Sequence, residues 1–167
     1  MKLNDKVAVV TGGGRGIGRG ITEKLLDAGA VVLVAQRQPL DEALAGHPGV
    51  AWTGVDLADR EAPYAIAQAV EEQFGGADIL VNNAGFMFER SLDEMTENDW
   101  DRLMIVNMRA PVFLAKALLP QMRAAAAAAS SISARSRGSA PTPACGLLRL
   151  QGRRPRLHPR AGGGSRP

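Results

Sequence analysis

Eight residues, Thr11 to Gly18 (TGGGRGIG), follow directly on the apolar run Val7 to Val10 and lead into Ile17, Ile21 and Leu25 at helical spacing. Five of the eight are glycine, which opens the turn to backbone conformations and close approaches that side chains forbid. A continuous apolar strand, a glycine turn and an amphipathic helix form the first unit of a parallel α/β sheet. Ligands of such sheets bind beyond the carboxyl ends of the strands. There the N–H groups and dipole of a helix N-terminus attract a pyrophosphate, and glycine lets the backbone reach it. A plain tight connection is the alternative, and the position between strand and helix argues against it.

The pattern then repeats. Gly29 is a stop for the first helix, and Val31 to Ala35 and Val50 to Val55 are further apolar runs. Ile66, Val70 and Phe74 share one helical face closed by Gly75, and Ile79 to Val81 predict a fourth strand. A last helix is expected from Thr96, as N-cap, past Trp100, Leu103, Val106, Val112 and Leu118. The expected fold is α/β, a doubly wound parallel sheet.

Composition breaks this pattern near Met122 to Ala129. Residues 1–101 hold 8 basic and all 17 acidic side chains, whereas residues 102–167 hold 12 basic and no acidic ones, so the net charge of +3 hides two unlike stretches. From Ala124 to Pro167, 35 of 44 residues are Ala, Arg, Ser, Gly or Pro, too little apolar volume to offset chain entropy. Residues 1–123 therefore read as an incomplete domain and residues 124–167 as an irregular, low-complexity tail. The fourth strand should then be left as an open sheet edge, prone to aggregation. The single cysteine, Cys145, excludes an internal disulfide framework. A continuous window of ~18 apolar residues is not found, and the start does not read as a signal peptide, so no membrane association and a cytoplasmic location are expected. His47 reads as a loop residue and His158 lies in the tail; no metal site is expected.

Thr11, Gly12, Gly16 and Gly18 match the T-G-x-x-x-G-x-G pattern, and with it the chain resembles the short-chain dehydrogenase/reductase family. Asp56-Leu57 after the third strand looks like the family's adenine-binding Asp, NNAG at Asn82 to Gly85 like the motif ending the fourth strand, and Asn107 like its catalytic helix Asn. Singly, Asp56 could be a turn-former, Asn107 a solvated helix residue, Asn82-Asn83 turn chemistry, and Trp52 and Trp100 packing residues; four motifs in order outweigh those readings. The resemblance covers residues 1 to about 123. It implies a Rossmann-type sheet and a nicotinamide dinucleotide held by Thr11, Gly12, Arg15, Gly16, Ile17, Gly18, Arg37, Asp56, Leu57, Asn83, Ala84 and Gly85. The end of the second strand reads VLVAQRQ, with Gln36 where an acid would bond the ribose 2′-OH of NAD, and Arg37 next to it. With Arg15 in the turn, this favours NADP over NAD.

In the family a Tyr carries the proton while hydride moves, and a Lys one turn on tunes it, because a free phenol titrates near ~10. The single Tyr here, Tyr64, precedes Asn107, and no Lys follows Lys116. Ser130, Ser131 and Ser133 stand near the family's Ser without a register that assigns one. Yet Gly146 to Gly164 can be encoded so that reading from the second base gives AYCASKAAVRASTRALAV, which resembles the family's Y-x-x-x-K helix. We read the tail as a frame-shifted continuation, the shift falling between Met122 and Gly146. The resemblance implies carbonyl/alcohol hydride transfer on a small molecule, with this chain an inactive copy. The alternatives are a non-catalytic dinucleotide-binding protein and, third, nucleic-acid binding through the Arg-rich tail, which its lack of aromatic residues disfavours. The family forms homo-oligomers, and the tail argues against one here. Phe86 to Ser91 is the expected substrate loop, with Phe86, Met87 and Phe88 as either pocket wall or ordinary core.

Overall fold

A computed structural model describes residues 2–89, 91–124 and 129–132. The elements follow the expected alternation: β1 (Val7–Thr11), α1 (Gly16–Asp27), β2 (Val31–Gln36), a short α2 (Glu42–Ala45), β3 (Val50–Gly54), α3 (Ala62–Phe74) and β4 (Ile79–Asn82). A helical run follows: α4 (Glu97–Met104), a π-turn (Ile105–Arg109) and α5 (Ala110–Ala124); then comes β5 (Ala129–Ile132). All neighbouring strands are parallel, in the order β3-β2-β1-β4-β5.

Period-two alternation along each strand builds two apolar layers. Ala8, Val10, Val32, Val34 and Val81 face Ile21, Leu25 and Leu26 of α1, whereas Val9, Leu33 and Leu80 face Ile66 and Val70 of α3 and Leu114 and Leu118 of α5. The sheet is thus covered on both sides, which is why its strands carry no polar face. Gly75 closes α3 in the left-handed conformation, φ +76°, as its position implied. Thr96 caps α4 by accepting from the Asp99 N–H, and Asp99 accepts in turn from the Thr96 N–H.

Three expectations are corrected. First, β5 lies inside the segment read as tail and pairs with β4 from Ile79↔Ala129 to Asn82↔Ile132, so the edge of β4 is occupied. Parallel pairing needs only backbone groups, which composition does not reveal. The rest of the tail, 125–128 and 133–167, lies outside the described residues. Second, the last helix runs through a π-turn. Pro111 has no N–H to give the carbonyl four residues back, at Asn107, and the wider π-turn accommodates it, with the Ala110 N–H reaching Ile105. Val106, Ala110, Leu114, Leu118 and Met122, four apart, form the buried stripe, and Val112 and Trp100, expected inside, lie off it and are more than half exposed. Third, the helix Glu97–Arg123 contains an 18-residue window with the mean hydropathy of a membrane span, which a search for uninterrupted apolar residues overlooks because Arg109 and Lys116 punctuate it. Its buried stripe packs on the sheet and α3 as a core helix.

Candidate functional site

The turn between β1 and α1 is shaped by contacts that only glycine permits. Gly12 and Gly16 take φ +64° and +53°. A Cβ on Gly18 would stand 2.1 Å from the Gly12 carbonyl oxygen, so the first turn of α1 presses directly against the strand end. No side chain caps α1, whose N-cap is Arg15, and the first-turn N–H groups lack intrahelical partners by construction. This backbone cradle, with the positive end of a helix behind it, fits a pyrophosphate.

The turn is bolted to the end of β4. Thr11 is buried, and its Oγ1 accepts from the N–H groups of Asn83 and Ala84, both at 3.1 Å. Asn83 Nδ2 donates to the carbonyls of Thr11 (3.1 Å) and Gly12 (3.2 Å). Thr22 Oγ1 donates to the Gly13 carbonyl at 3.0 Å. Asn107 makes a similar clamp further out. Its Oδ1 accepts from the Phe86 N–H at 2.8 Å and its Nδ2 donates to the Phe86 carbonyl at 2.7 Å, tying the segment after β4 to the π-turn.

Between these fixtures, at the carboxyl ends of the strands, lies a cavity of about 300 Å³. Of the residues expected to hold a dinucleotide, Gly12, Arg15, Arg37, Leu57, Ala84 and Gly85 line it. Thr11 and Asn83 stand behind its wall, Gly16 and Gly18 form the turn, and Ile17 is half exposed. Asp56 is placed at the rim: Oδ1 accepts from the Ala58 N–H, the turn-forming role weighed from the sequence, and Oδ2 lies 3.7 Å from Arg37 Nη1. Asn107 is brought to the Phe86 backbone, not to the cavity wall.

Gln36, Val55, Phe86 and Val106 also line the cavity, as does Arg102, which sequence reasoning missed. Arg102 and Val106 are four apart on one helix face, and the Arg102 guanidinium lies 5.1 Å from the centre of the Phe86 ring. Phe86 is therefore pocket wall. Trp52 is partly exposed, with Nε1 donating to the Gln36 carbonyl at 3.2 Å. His47 sits in the loop before β3 and accepts from the Gly49 N–H. No group of three or more His, Cys, Asp or Glu side chains suited to a metal occurs among the described residues.

Comparison with known proteins places this geometry. The short chain dehydrogenase family matches residues 6–139, 16 residues beyond the point where the motifs stop. The galactitol 2-dehydrogenase of Agrobacterium fabrum is 36% identical over 121 residues, covering 71% of this chain and 47% of that protein. L-sorbose reductase from Gluconobacter frateurii, solved with NADPH and L-sorbose, superposes with a TM-score of 0.74 at 37% identity, over 79% of this chain and 53% of that one. A metagenomic short-chain oxidoreductase in complex with NADP gives 0.71 at 37% identity, over 78% and 61%. The chain spans about half the length of the curated relatives it matches. With its glycine turn, its β4 motif and its strand order in place, the chain belongs to the short chain dehydrogenase family.

Proposed function

We propose that the chain carries the cofactor-binding half of an NADP-dependent oxidoreductase that interconverts a small carbonyl compound and its alcohol. The observation that carries this reading is the lining of the cavity: Arg15 and Arg37 stand beside the glycine turn, and among the described residues no carboxylate lines the wall, Asp56 lying at the rim beside Arg37. The backbone of Gly12, Gly16 and Gly18 would hold the pyrophosphate, Arg15 and Arg37 the 2′-phosphate, and Leu57 and Val106 the adenine. Bound there, a nicotinamide cofactor supplies or accepts hydride. Solved relatives with NADPH and NADP support the choice of cofactor, and ketoses and sugar alcohols, the substrates named for two relatives, are the first panel to test.

Asn107 holds the segment that carries Phe86, and so positions the pocket wall. The proton step lacks its groups in this chain, since no Tyr follows Asn107 and no Lys follows Lys116. Positioned acid catalysis is worth ~10²–10⁴-fold. We therefore read the 167-residue chain as binding NADPH without turnover, in keeping with a frame change between Met122 and Gly146. A cytoplasmic location goes with this reading. The test is a fluorescence titration with NADPH and NADH, followed by NADPH absorbance assays of this chain and of a gene with the frame restored. NADPH binding without turnover in the first and turnover in the second is the expected result. Equal affinity for the two cofactors overturns the NADP reading, and equal turnover overturns the frame reading.

A further inference from the structure

Gln36 does more than leave out a negative charge. Its side-chain amide lies between the glycine turn and the loop after β2 and bonds to both. Oε1 accepts from the Gly14 N–H at 2.8 Å, while Nε2 donates to the Gln38 carbonyl at 2.8 Å and faces the Pro39 carbonyl at 3.5 Å. The backbone of the same residue is held as firmly, its carbonyl accepting from the Val55 N–H at 3.1 Å and from Trp52 Nε1. The fit against the turn is close: a Cβ on Gly14 would stand 2.5 Å from Gln36 Nε2.

We propose that Gln36 is a positioning residue for cofactor choice: its amide staples the loop carrying Arg37 to the turn carrying Arg15, setting the spacing at which two arginines receive one phosphate. This rests on the NADP reading above. The chemistry demands an amide. Gly14 offers a donor and Gln38 an acceptor, so the bridging group must accept at one end and donate at the other. A carboxylate satisfies Gly14 alone, an ammonium satisfies Gln38 alone, and an apolar side chain satisfies neither. The staple also occupies the Gly14 N–H, leaving the first turn of α1 as the anion-binding donors. Arg37 Nη1 is meanwhile 3.7 Å from Asp56, an exposed pairing that a phosphate can replace.

The test separates the staple from the missing charge. Gln36→Met keeps length and neutrality and removes both bonds; Gln36→Glu keeps the Gly14 bond and adds charge. Dissociation constants for NADPH and NADH are measured for each and for the unmutated chain, with thermal melts. The staple predicts that Gln36→Met lowers the NADPH-over-NADH preference about tenfold, the scale of one well-made hydrogen bond, while NADH affinity moves less. Gln36→Glu should reverse the preference. An unchanged ratio in Gln36→Met overturns the inference and leaves the absent acid as the whole explanation. If the unmutated chain binds neither cofactor, the NADP reading itself falls and the inference with it. Amide exchange on the unmutated protein adds a readout independent of folding in the variants: the Gly14 N–H should exchange slowly, and exchange as fast as a free loop amide rules the staple out.

Discussion

The two walls of the cavity are built by different means. On the β1 side, backbone conformation does the work: Gly12 and Gly16 adopt positive φ and Gly18 touches the Gly12 carbonyl. On the β4 side, side-chain amides do it, Asn83 gripping the strand end and Asn107 the Phe86 backbone. A steric wall fails abruptly, because atoms cannot overlap, whereas a hydrogen-bonded wall fails by degrees, because water replaces part of each lost bond.

Substitutions should follow that order. Gly18→Ala is expected to be the most damaging, since the new methyl must push α1 off β1; ~3 kcal/mol of stability and measurable cofactor binding should both be lost, as melts and titrations would show. A variant that melts and binds normally would mean the contact is softer than 2.1 Å implies. Asn83→Ala leaves the carbonyls of Thr11 and Gly12 short of a donor and should cost about 2 kcal/mol by chemical denaturation. Asn107→Ala, nearer the surface, should cost about 1 kcal/mol and loosen Phe86, seen as faster amide exchange there. Losses equal to that of Gly18→Ala would erase the distinction between the walls. Arg37→Ala lies on neither wall's framework: it should leave the melt unchanged and weaken NADPH about tenfold with no effect on NADH.

The smallest effect concerns the cap of α2. The Leu44 N–H and then Arg19 hold the Asp41 carboxyl below its ordinary value, and Asp41 caps α2. A lowered folded-state pKa gives support that is full above the unfolded value and fades as pH falls through the folded one. The Leu44 amide should therefore lose protection only below about pH 4. Asp41→Asn, which still caps, should show no such acid step. An acid step of the same size in that variant would assign the transition to another carboxylate.

The framework was legible because its signals are local. Each apolar run sits next to its own turn or helix stop, and Gly75 and Thr96 act within one turn of where they stand. What escaped reading depended on distance or on backbone alone. Arg102 reaches the cavity only because the helix it belongs to crosses Phe86, and its own neighbours in sequence do not announce that. Val112 is exposed because it stands two positions from both Ala110 and Leu114, roughly 200° around α5 from the buried stripe, and the π-turn shifts the phase of Trp100 relative to that stripe. Ala129 to Ile132, the strand β5, has the composition of a tail, although strand pairing draws on N–H and C=O groups that every residue but proline carries.

The sequence by itself determined the strand and helix order, the glycine turn and the exclusion of an acid at Gln36, because periodicity, chirality and charge act over a few residues. Only the tertiary structure decided what the Gln36 amide touches, that Asn107 grips Phe86, and that Asp56 turns toward Arg37. Those partners lie 22, 21 and 19 positions apart, and they meet because parallel strands bring their carboxyl ends to one edge of the sheet.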